Sequence, residues 1–210
     1  MVEKERKLTP AEEKRKANFE RICEEMEQSG YQKIDLTSDV LQANIKGIII
    51  ILPFVLVTVG IYRIINPSAS VGLSFNERIV LVIAVLFLAV LHEVIHGLTW
   101  VFFAKKHFKS ISFGVMWKEL TPYCNCNEPL SKRQYIAGVA MPTLILWLGL
   151  AGVAIAFGSF FFLALCIVMI FAGCADFFII FKMLSYKPQN KEVLYYDHPY
   201  RIGVIVFEKL

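Results

Sequence analysis

Three residues in an apolar stretch of the chain could together bind a metal ion and use it: His92, Glu93 and His96, in the pattern His-Glu-x-x-His. Residues four apart lie one above the other on a helix, so both imidazoles can reach one zinc ion. The glutamate beside the first histidine can accept a proton from an attacking water and pass it to a leaving amine. The spacing therefore predicts a Zn2+ site with two histidine ligands and Glu93 as the general base.

A catalytic zinc usually has three protein ligands and one open position, so two histidines leave this site one ligand short. Asp176 is the natural third ligand, because no other Asp, Glu, Lys or Arg lies between Gln134 and Phe181. Two alternatives stay open at this point. Asp176 could pair with Lys182 without a metal, and His198 could take its place as the third ligand.

The apolar setting strengthens the metal prediction. A glutamate and two histidines near the centre of a bilayer cost several kcal/mol together on insertion scales, so something must offset that cost. In the alternative interpretation, the histidines only hydrogen-bond neighbouring helices around a neutral Glu93. That arrangement suits one buried polar residue better than three at ligand spacing.

The elements that must position these residues are membrane helices. The chain has 210 residues, of which 56% are hydrophobic and 19% charged, an unusual balance for a soluble domain. Its long apolar runs each contain a single charged residue, and runs of this length belong in lipid. We expect four spans with a tight turn between the last two, at about residues 47–63, 79–104, 135–157 and 160–182.

The predicted fold is an all-α polytopic membrane protein with a short hairpin or loop insertion between Ser110 and Cys126. A cytosolic, amphipathic helical segment covers residues 1–46, the transmembrane domain covers residues 47–184, and a cytosolic tail covers residues 185–210. Twenty of the 22 Lys and Arg residues then lie on one side of the membrane. The positive-inside rule therefore predicts a multi-pass cell-membrane protein with both termini in the cytoplasm.

Composition argues against several other kinds of protein. The formal net charge is only +4, and the charged residues concentrate near the N-terminus, so we expect no nucleic-acid partner. Five cysteines, an odd number, do not form a secreted disulfide framework. The aromatic residues Trp100 and Tyr135, near the ends of spans, are typical of interfacial belts.

The segment between the second and third spans is a candidate for substrate binding. Cys124 and Cys126 are too closely spaced for a structural zinc site, which prefers two or more intervening residues. We interpret this region as a hairpin or loop near the metal, where a strand edge holds an extended substrate by backbone hydrogen bonds. The candidate residues for this edge, or for a supporting position beside the metal, are Tyr123, Asn125, Asn127 and His198.

Beyond the metal motif, the chain resembles a bacterial family of membrane proteins called putative zincin peptidases. The resemblance covers most of residues 75 to 205. It rests on the stretches at residues 92–97, 122–130, 133–136, 173–176 and 197–199. More distantly, the chain is similar to the site-2 protease class of intramembrane metalloproteases. The shared feature is a His-Glu-x-x-His motif inside a membrane span, followed two spans later by an aspartate. Phe177 follows Asp176 here, whereas those proteases usually have an Asn-Pro-x-x-Asp-Gly setting.

The resemblance implies zinc-dependent hydrolysis of a peptide bond within or beside the membrane. His92, His96 and Asp176 would then be the zinc ligands, Glu93 the general base, and a membrane protein or peptide the substrate. The alternative is a non-catalytic membrane scaffold or regulator with a structural or degenerate zinc site. A metal-ion transporter is disfavoured, because no charged residue lies in the outer halves of the spans.

Overall fold

The structure, a computed structural model, describes residues 10–116, 121–199 and 201–210. Its helices are α1 (Pro10–Gln28), α2 (Val40–Ile65), α3 (Phe75–Val101), α4 (Lys132–Phe157), α5 (Phe160–Ala172) and α6 (Cys174–Ser185), with a short 3-10 helix at His107–Ser110. Its strands are β1 (Tyr31–Asp35), β2 (Ile111–Met116), β3 (Thr121–Cys126), β4 (Leu130–Ser131), β5 (Val193–Asp197) and β6 (Val204–Lys209).

Within the described residues, three helices are long and apolar enough to cross a bilayer: α2, α3 and α4. Their outward faces are apolar, and Ile49 of α2 and Phe87 of α3 are each 66% exposed. Apolar surface of this extent marks a membrane-facing protein. Helices α5 and α6 form a fourth candidate span if the pair counts as one.

The fourth span differs from the continuous helix expected over residues 160–182, because it bends by 47° at the break between α5 and α6. The break falls at Gly173, and glycine is a poor helix former. Space also requires a glycine here, since a Cβ at Gly173 would meet Oγ1 of Thr143 in α4. The bend places the first turn of α6 close to α4.

Helix ends follow local capping chemistry. Ser74 and Glu77 form a capping box that starts α3, in which the Ser74 N–H donates to the glutamate carboxylate at 2.7 Å. The helix therefore begins four residues before the apolar run on which the span was predicted. Gly158 ends α4 with a φ of 61°, the left-handed conformation that glycine adopts at low cost.

The all-α class is wrong in one respect, because the described residues form two antiparallel sheets. A four-stranded sheet has the order β1-β6-β5-β4, and β2 pairs with β3 in a separate hairpin. The C-terminal segment, expected as a tail, supplies β5 and β6. Strand β6 is buried on both faces: Val204 and Val206 pack toward Trp100, and Ile205 and Phe207 pack toward α1.

The four-stranded sheet shows which helix ends lie together. Its strands come from the chain before α2, from the link between α3 and α4, and from the chain after α6. The start of α2, the end of α3, the start of α4 and the end of α6 therefore lie at the same end of the helices. Helices that cross in alternating directions produce this arrangement.

Candidate metal centre

The structure brings His92, His96 and Asp176 together where α3 faces α6. Nε2 of His92 lies 3.0 Å from Nε2 of His96 and 3.0 Å from Oδ2 of Asp176. Nε2 of His96 lies 3.6 Å from the same oxygen. Both histidines are buried, with 7% and 5% exposure. In the described part of the chain, this is the only group of three or more His, Cys, Asp or Glu residues that could hold a metal ion.

These separations are close to those between the ligand atoms of a tetrahedral zinc ion, and two of them are about 0.3 Å shorter. Bonds of zinc to nitrogen and oxygen are about 2.0 to 2.2 Å long, which places neighbouring ligand atoms of a tetrahedron about 3.3 to 3.6 Å apart. Imidazole nitrogens and a carboxylate oxygen are also suitable donors for zinc. Three protein ligands leave the fourth position for water or substrate, as in catalytic zinc sites.

Helix α4 fixes the tautomer of His96. Nδ1 of His96 lies 2.8 Å from the carbonyl oxygen of Gly138. A carbonyl can only accept, so Nδ1 carries the hydrogen and donates it. In the neutral ring the lone pair is then on Nε2, the atom that faces His92 and Asp176. Histidines that bind metals commonly have such a bond on the second nitrogen, which orients the ring and raises its basicity.

Trp100 packs on the same histidine from the next turn of α3. Its indole stacks on the ring of His96, with centroids 5.3 Å apart and an interplanar angle of 16°. The indole fits only because Gly138 has no side chain, since a Cβ there would overlap it. Gly138 thus supplies both the carbonyl that holds His96 and the space for the ring that packs on it.

Asp176 lies in the first turn of α6, directly after the break at Gly173. A helix N-terminus carries a partial positive charge, which favours a carboxylate at this position. Oγ1 of Thr143 in α4 is 3.5 Å from Oδ2 of Asp176 and donates to it. The break and the contact with α4 together position this carboxylate against the histidines of α3.

The alternative ion pair between Asp176 and Lys182 is not found in the structure. The ammonium group of Lys182 points to the chain segment that leads into α2. There it donates hydrogen bonds of 2.7 to 3.0 Å to Leu36 O, Thr37 O and Ser38 Oγ.

His198 lies at the turn between β5 and β6 and is not part of the metal cluster. Its Nδ1 accepts a hydrogen bond of 3.1 Å from the backbone N–H of Arg201, and its ring packs against Phe19 of α1 at 5.3 Å. Burial lowers the pKa of His198 to about 4; Asp35 opposes this shift, and Arg201 and Lys33 add to it. These contacts give His198 a role in joining α1 to the sheet.

Glu93 faces the hairpin, whereas the two histidines face α4 and α6. Its carboxylate faces the backbone N–H of Cys124 in β3 and lies within electrostatic reach of all three residues of the metal cluster. Gly97, one turn later, allows β2 to approach, because a Cβ there would overlap the ring of Phe113. The hairpin therefore packs directly on the motif helix.

The pairing of β3 with β2 determines which of its backbone groups face outward. The N–H of Asn127 donates to Ser110 O at 2.7 Å, and hydrogen-bonded pairs alternate along an antiparallel ladder. The backbone groups of Asn125 consequently face β2, whereas those of Cys124 and Cys126 face away from it. We call this outward side, defined by Cys124 and Cys126, the outer edge of β3.

Asp197, at the end of β5, contacts this outer edge. Its Oδ2 accepts a hydrogen bond of 3.0 Å from the N–H of Cys126, and its Oδ1 accepts one from the hydroxyl of Tyr135 in α4. Burial raises the pKa of Asp197 to about 6, and these two hydrogen bonds oppose the shift. The carboxylate thus connects the sheet, the hairpin and the start of α4.

Tyr123, Asn125 and Asn127 all lie on the hairpin, as expected, but outside the metal cluster. The guanidinium of Arg15 stacks over the ring of Tyr123 at 4.1 Å, and the side-chain amide of Asn127 donates to Ser112 Oγ at 2.6 Å. Their backbones take part in the ladder with β2. A role for these three residues in binding a substrate or in supporting the metal site stays a prediction.

The two thiols of the hairpin, Cys124 and Cys126, lie outside the metal cluster. Burial raises the pKa of both thiols, that of Cys126 to about 12, so without a bound metal they stay protonated at neutral pH.

Sequence reasoning missed the residues that support the metal cluster. Trp100 and Tyr135, expected in interfacial belts, are only 3% and 1% exposed and lie in the core. Gly138 acts through its backbone, which has no signature in a sequence. The one available signal was a glycine inside a predicted span, which often marks close packing of two helices.

Comparison with known proteins agrees with this site. The sequence profile of the family described as Putative zincin peptidase matches residues 85–191, about half of the chain. The matched range contains the His-Glu-x-x-His motif, the hairpin and Asp176. No curated protein and no solved structure matches the chain.

Proposed function

The chain belongs to the Putative zincin peptidase family, and on that premise we propose that it is a membrane-embedded zinc metallopeptidase. It would hydrolyse a peptide bond of a membrane protein or peptide, within or beside the bilayer. The observation that carries the proposal is the triangle of ligand atoms from His92, His96 and Asp176, with edges of 3.0 to 3.6 Å. A carboxylate of the same motif, Glu93, lies beside it.

Each residue of the metal centre would have a separate role in hydrolysis. His92, His96 and Asp176 would hold the ion, and Gly138 would keep His96 in the tautomer that presents Nε2. Zinc in such a donor set supplies Lewis-acid chemistry toward water and a peptide carbonyl. Glu93 would accept the proton of the attacking water and return it to the leaving amine.

An apolar substrate fits the surroundings of the site. A cavity of about 60 Å³ lies beside Asp176 between α4 and α6, with apolar side chains such as Val139, Leu144 and Ile180 in its lining. Leu144 is 40% exposed on the outward face of α4. The outer edge of β3 offers backbone groups to an extended chain, in the manner of strand addition. We propose that a substrate segment unwinds and pairs there.

The membrane topology is part of the proposal. Helix ends gathered at the four-stranded sheet support N- and C-termini on one side, and the distribution of Lys and Arg favours the cytoplasm for that side. The metal centre would then be reached from the cytoplasmic half of the bilayer, where the hairpin packs on α3.

The substitution Glu93→Gln separates the peptidase from a non-catalytic zinc scaffold. Both proteins would be purified in mild detergent, assayed for zinc by mass spectrometry, and incubated with a library of fluorogenic apolar peptides. The peptidase proposal predicts equal zinc content in the two proteins and cleavage by the wild type only. Cleavage that persists in Glu93→Gln, or a zinc-loaded wild type that cleaves no peptide, would favour the scaffold.

A further inference from the structure

Both outward N–H groups of β3, those of Cys124 and Cys126, face carboxylates. Cys126 donates to Asp197 at 3.0 Å, and the N–H of Cys124 faces the carboxylate of Glu93. In a larger sheet, these two groups would donate to carbonyl oxygens of a neighbouring strand. Residues two apart on a strand are about 6.8 Å apart, which is also the repeat of same-side carbonyls in an extended peptide. The two carboxylates therefore stand where a paired peptide would place its carbonyls.

The Asp197 end of this edge is closed to a peptide. Both carboxylate oxygens of Asp197 have partners, because the N–H of Cys126 donates to Oδ2 and the hydroxyl of Tyr135 donates to Oδ1. Tyr135 is itself only 1% exposed. The cavity beside them is only about 10 Å³, enough for about one water molecule. An extended chain can pair with Cys126 only if Asp197 moves away.

We propose that Asp197 is a cap on the outer edge of β3 and that a backbone carbonyl of the extended substrate replaces it during binding. This inference rests on the proposed peptidase function. Pairing at the same edge also brings a substrate carbonyl to the N–H of Cys124, which faces Glu93. Substrate binding thereby leaves the carboxylate of the general base to turn toward the metal centre.

The structure provides a second partner for the displaced carboxylate. Arg15 of α1 lines the same small cavity as Asp197. In the part of the chain that the structure describes, the buried Nε of Arg15 makes no hydrogen bond. A carboxylate that turns from Cys126 into the cavity meets this guanidinium, so its charge does not become isolated.

The cap also protects the protein without substrate. An exposed strand edge presents unpaired N–H and C=O groups that can pair with other chains, and proteins commonly block such edges with charged residues. A carboxylate is suited to this task because it accepts strongly yet leaves when a full strand offers several hydrogen bonds at once. The cap therefore selects extended peptides over single polar groups.

The substitution Asp197→Asn tests the cap by weakening it without changing its shape. The amide oxygen can accept from Cys126 and the amide nitrogen can donate to Tyr135, but a neutral acceptor is weaker than a carboxylate. We expect the Kd of an apolar tripeptide hydroxamate, measured by calorimetry on zinc-loaded protein, to fall about fivefold. The Kd of acetohydroxamate, which has no peptide backbone, should not change.

The matched control is Glu128→Gln. Glu128 is also a carboxylate that caps backbone N–H groups, those of Lys105 and Lys106, away from the outer edge. Its substitution should leave both affinities as in the wild type. Weaker tripeptide binding by Asp197→Asn, or an equal effect on both hydroxamates, would overturn the proposal.

A second measurement uses the wild type alone and does not depend on the folding of a variant. The backbone carbonyls of the tripeptide hydroxamate are replaced by methylene groups one at a time. Loss of the carbonyl that pairs with Cys126 should weaken binding at least fivefold, and the absence of any sensitive position would contradict the cap. Neither test requires turnover, so a protein that meets both expectations but cleaves nothing would refute only the peptidase function.

Discussion

The ring of His96 and the backbone of Gly138 are joined by one hydrogen bond of 2.8 Å, from Nδ1 to the carbonyl oxygen. This bond links the motif helix α3 to the third long apolar helix, α4. It decides which nitrogen of His96 can bind a metal, and it depends on a residue with no side chain.

Substitution of Gly138 by alanine should therefore weaken zinc binding. The added Cβ would overlap the indole of Trp100, which stacks on His96, and would force one of these rings to move. We expect a loss of about 10- to 100-fold in zinc affinity, the range seen when partners of metal ligands are disturbed. Competition with a fluorescent zinc chelator measures the change.

Gly149 provides the control for this experiment on the same helix. A Cβ at Gly149 meets nothing within 4 Å, and alanine is a better helix former than glycine. Gly149→Ala should keep the zinc affinity of the wild type. If the two variants bind zinc equally well, Gly138 does not position His96.

Lys182 should contribute to folding and not to metal binding. Its ammonium group donates to three acceptors in the segment before α2, and Lys182→Met leaves them without this donor. We expect a loss of about 2 to 3 kcal/mol in the free energy of unfolding, with zinc content unchanged. Lys187→Met, at an exposed position, should change neither quantity. A drop in zinc content for Lys182→Met alone would revive the ion pair with Asp176.

His198 should make the protein less stable in mild acid. Its pKa of about 4 in the folded protein lies below the ordinary value of 6.5, so the unfolded chain binds a proton that the folded chain excludes. The stability from neutral His198 is complete above about pH 6.5 and is lost as the pH falls toward 4.

The variant His198→Asn isolates this effect, because asparagine can accept the hydrogen bond from Arg201 but does not titrate. Between pH 7 and pH 4.5, the wild type should lose more stability than the variant, by on the order of 1 kcal/mol after allowance for partial exposure. Thermal unfolding in mild detergent at several pH values measures the difference. Parallel pH curves for the two proteins would contradict the assignment.

The metal cluster could be predicted because its residues are unusual where they stand. His92 and His96 have the spacing of metal ligands inside an apolar run that also contains Glu93. Asp176 is the one charged residue in another apolar run. Gly138 could not be identified as a partner of His96, since any residue of α4 has a carbonyl group. Only the packing of α3 against α4 selects this one.

The sheets were harder to predict than the helices. Residues 204 to 207 of β6 are all apolar, without the alternation typical of a half-buried strand. Both faces are buried because α1 covers one side and the core around Trp100 covers the other. The run is also too short to distinguish a strand from other structures by sequence alone. The break at Gly173 depends equally on a neighbour, Thr143, that is distant in sequence.

X-ray absorption spectroscopy of the zinc-loaded protein, with Asp176→Ala beside it, tests the proposed metal centre most directly. We expect one zinc per chain, with nitrogen and oxygen neighbours at about 2.0 to 2.2 Å and no sulfur at about 2.3 Å. We also expect Asp176→Ala to lose tight zinc binding. A sulfur neighbour, or full zinc retention with an unchanged spectrum in Asp176→Ala, would contradict the proposed metal centre.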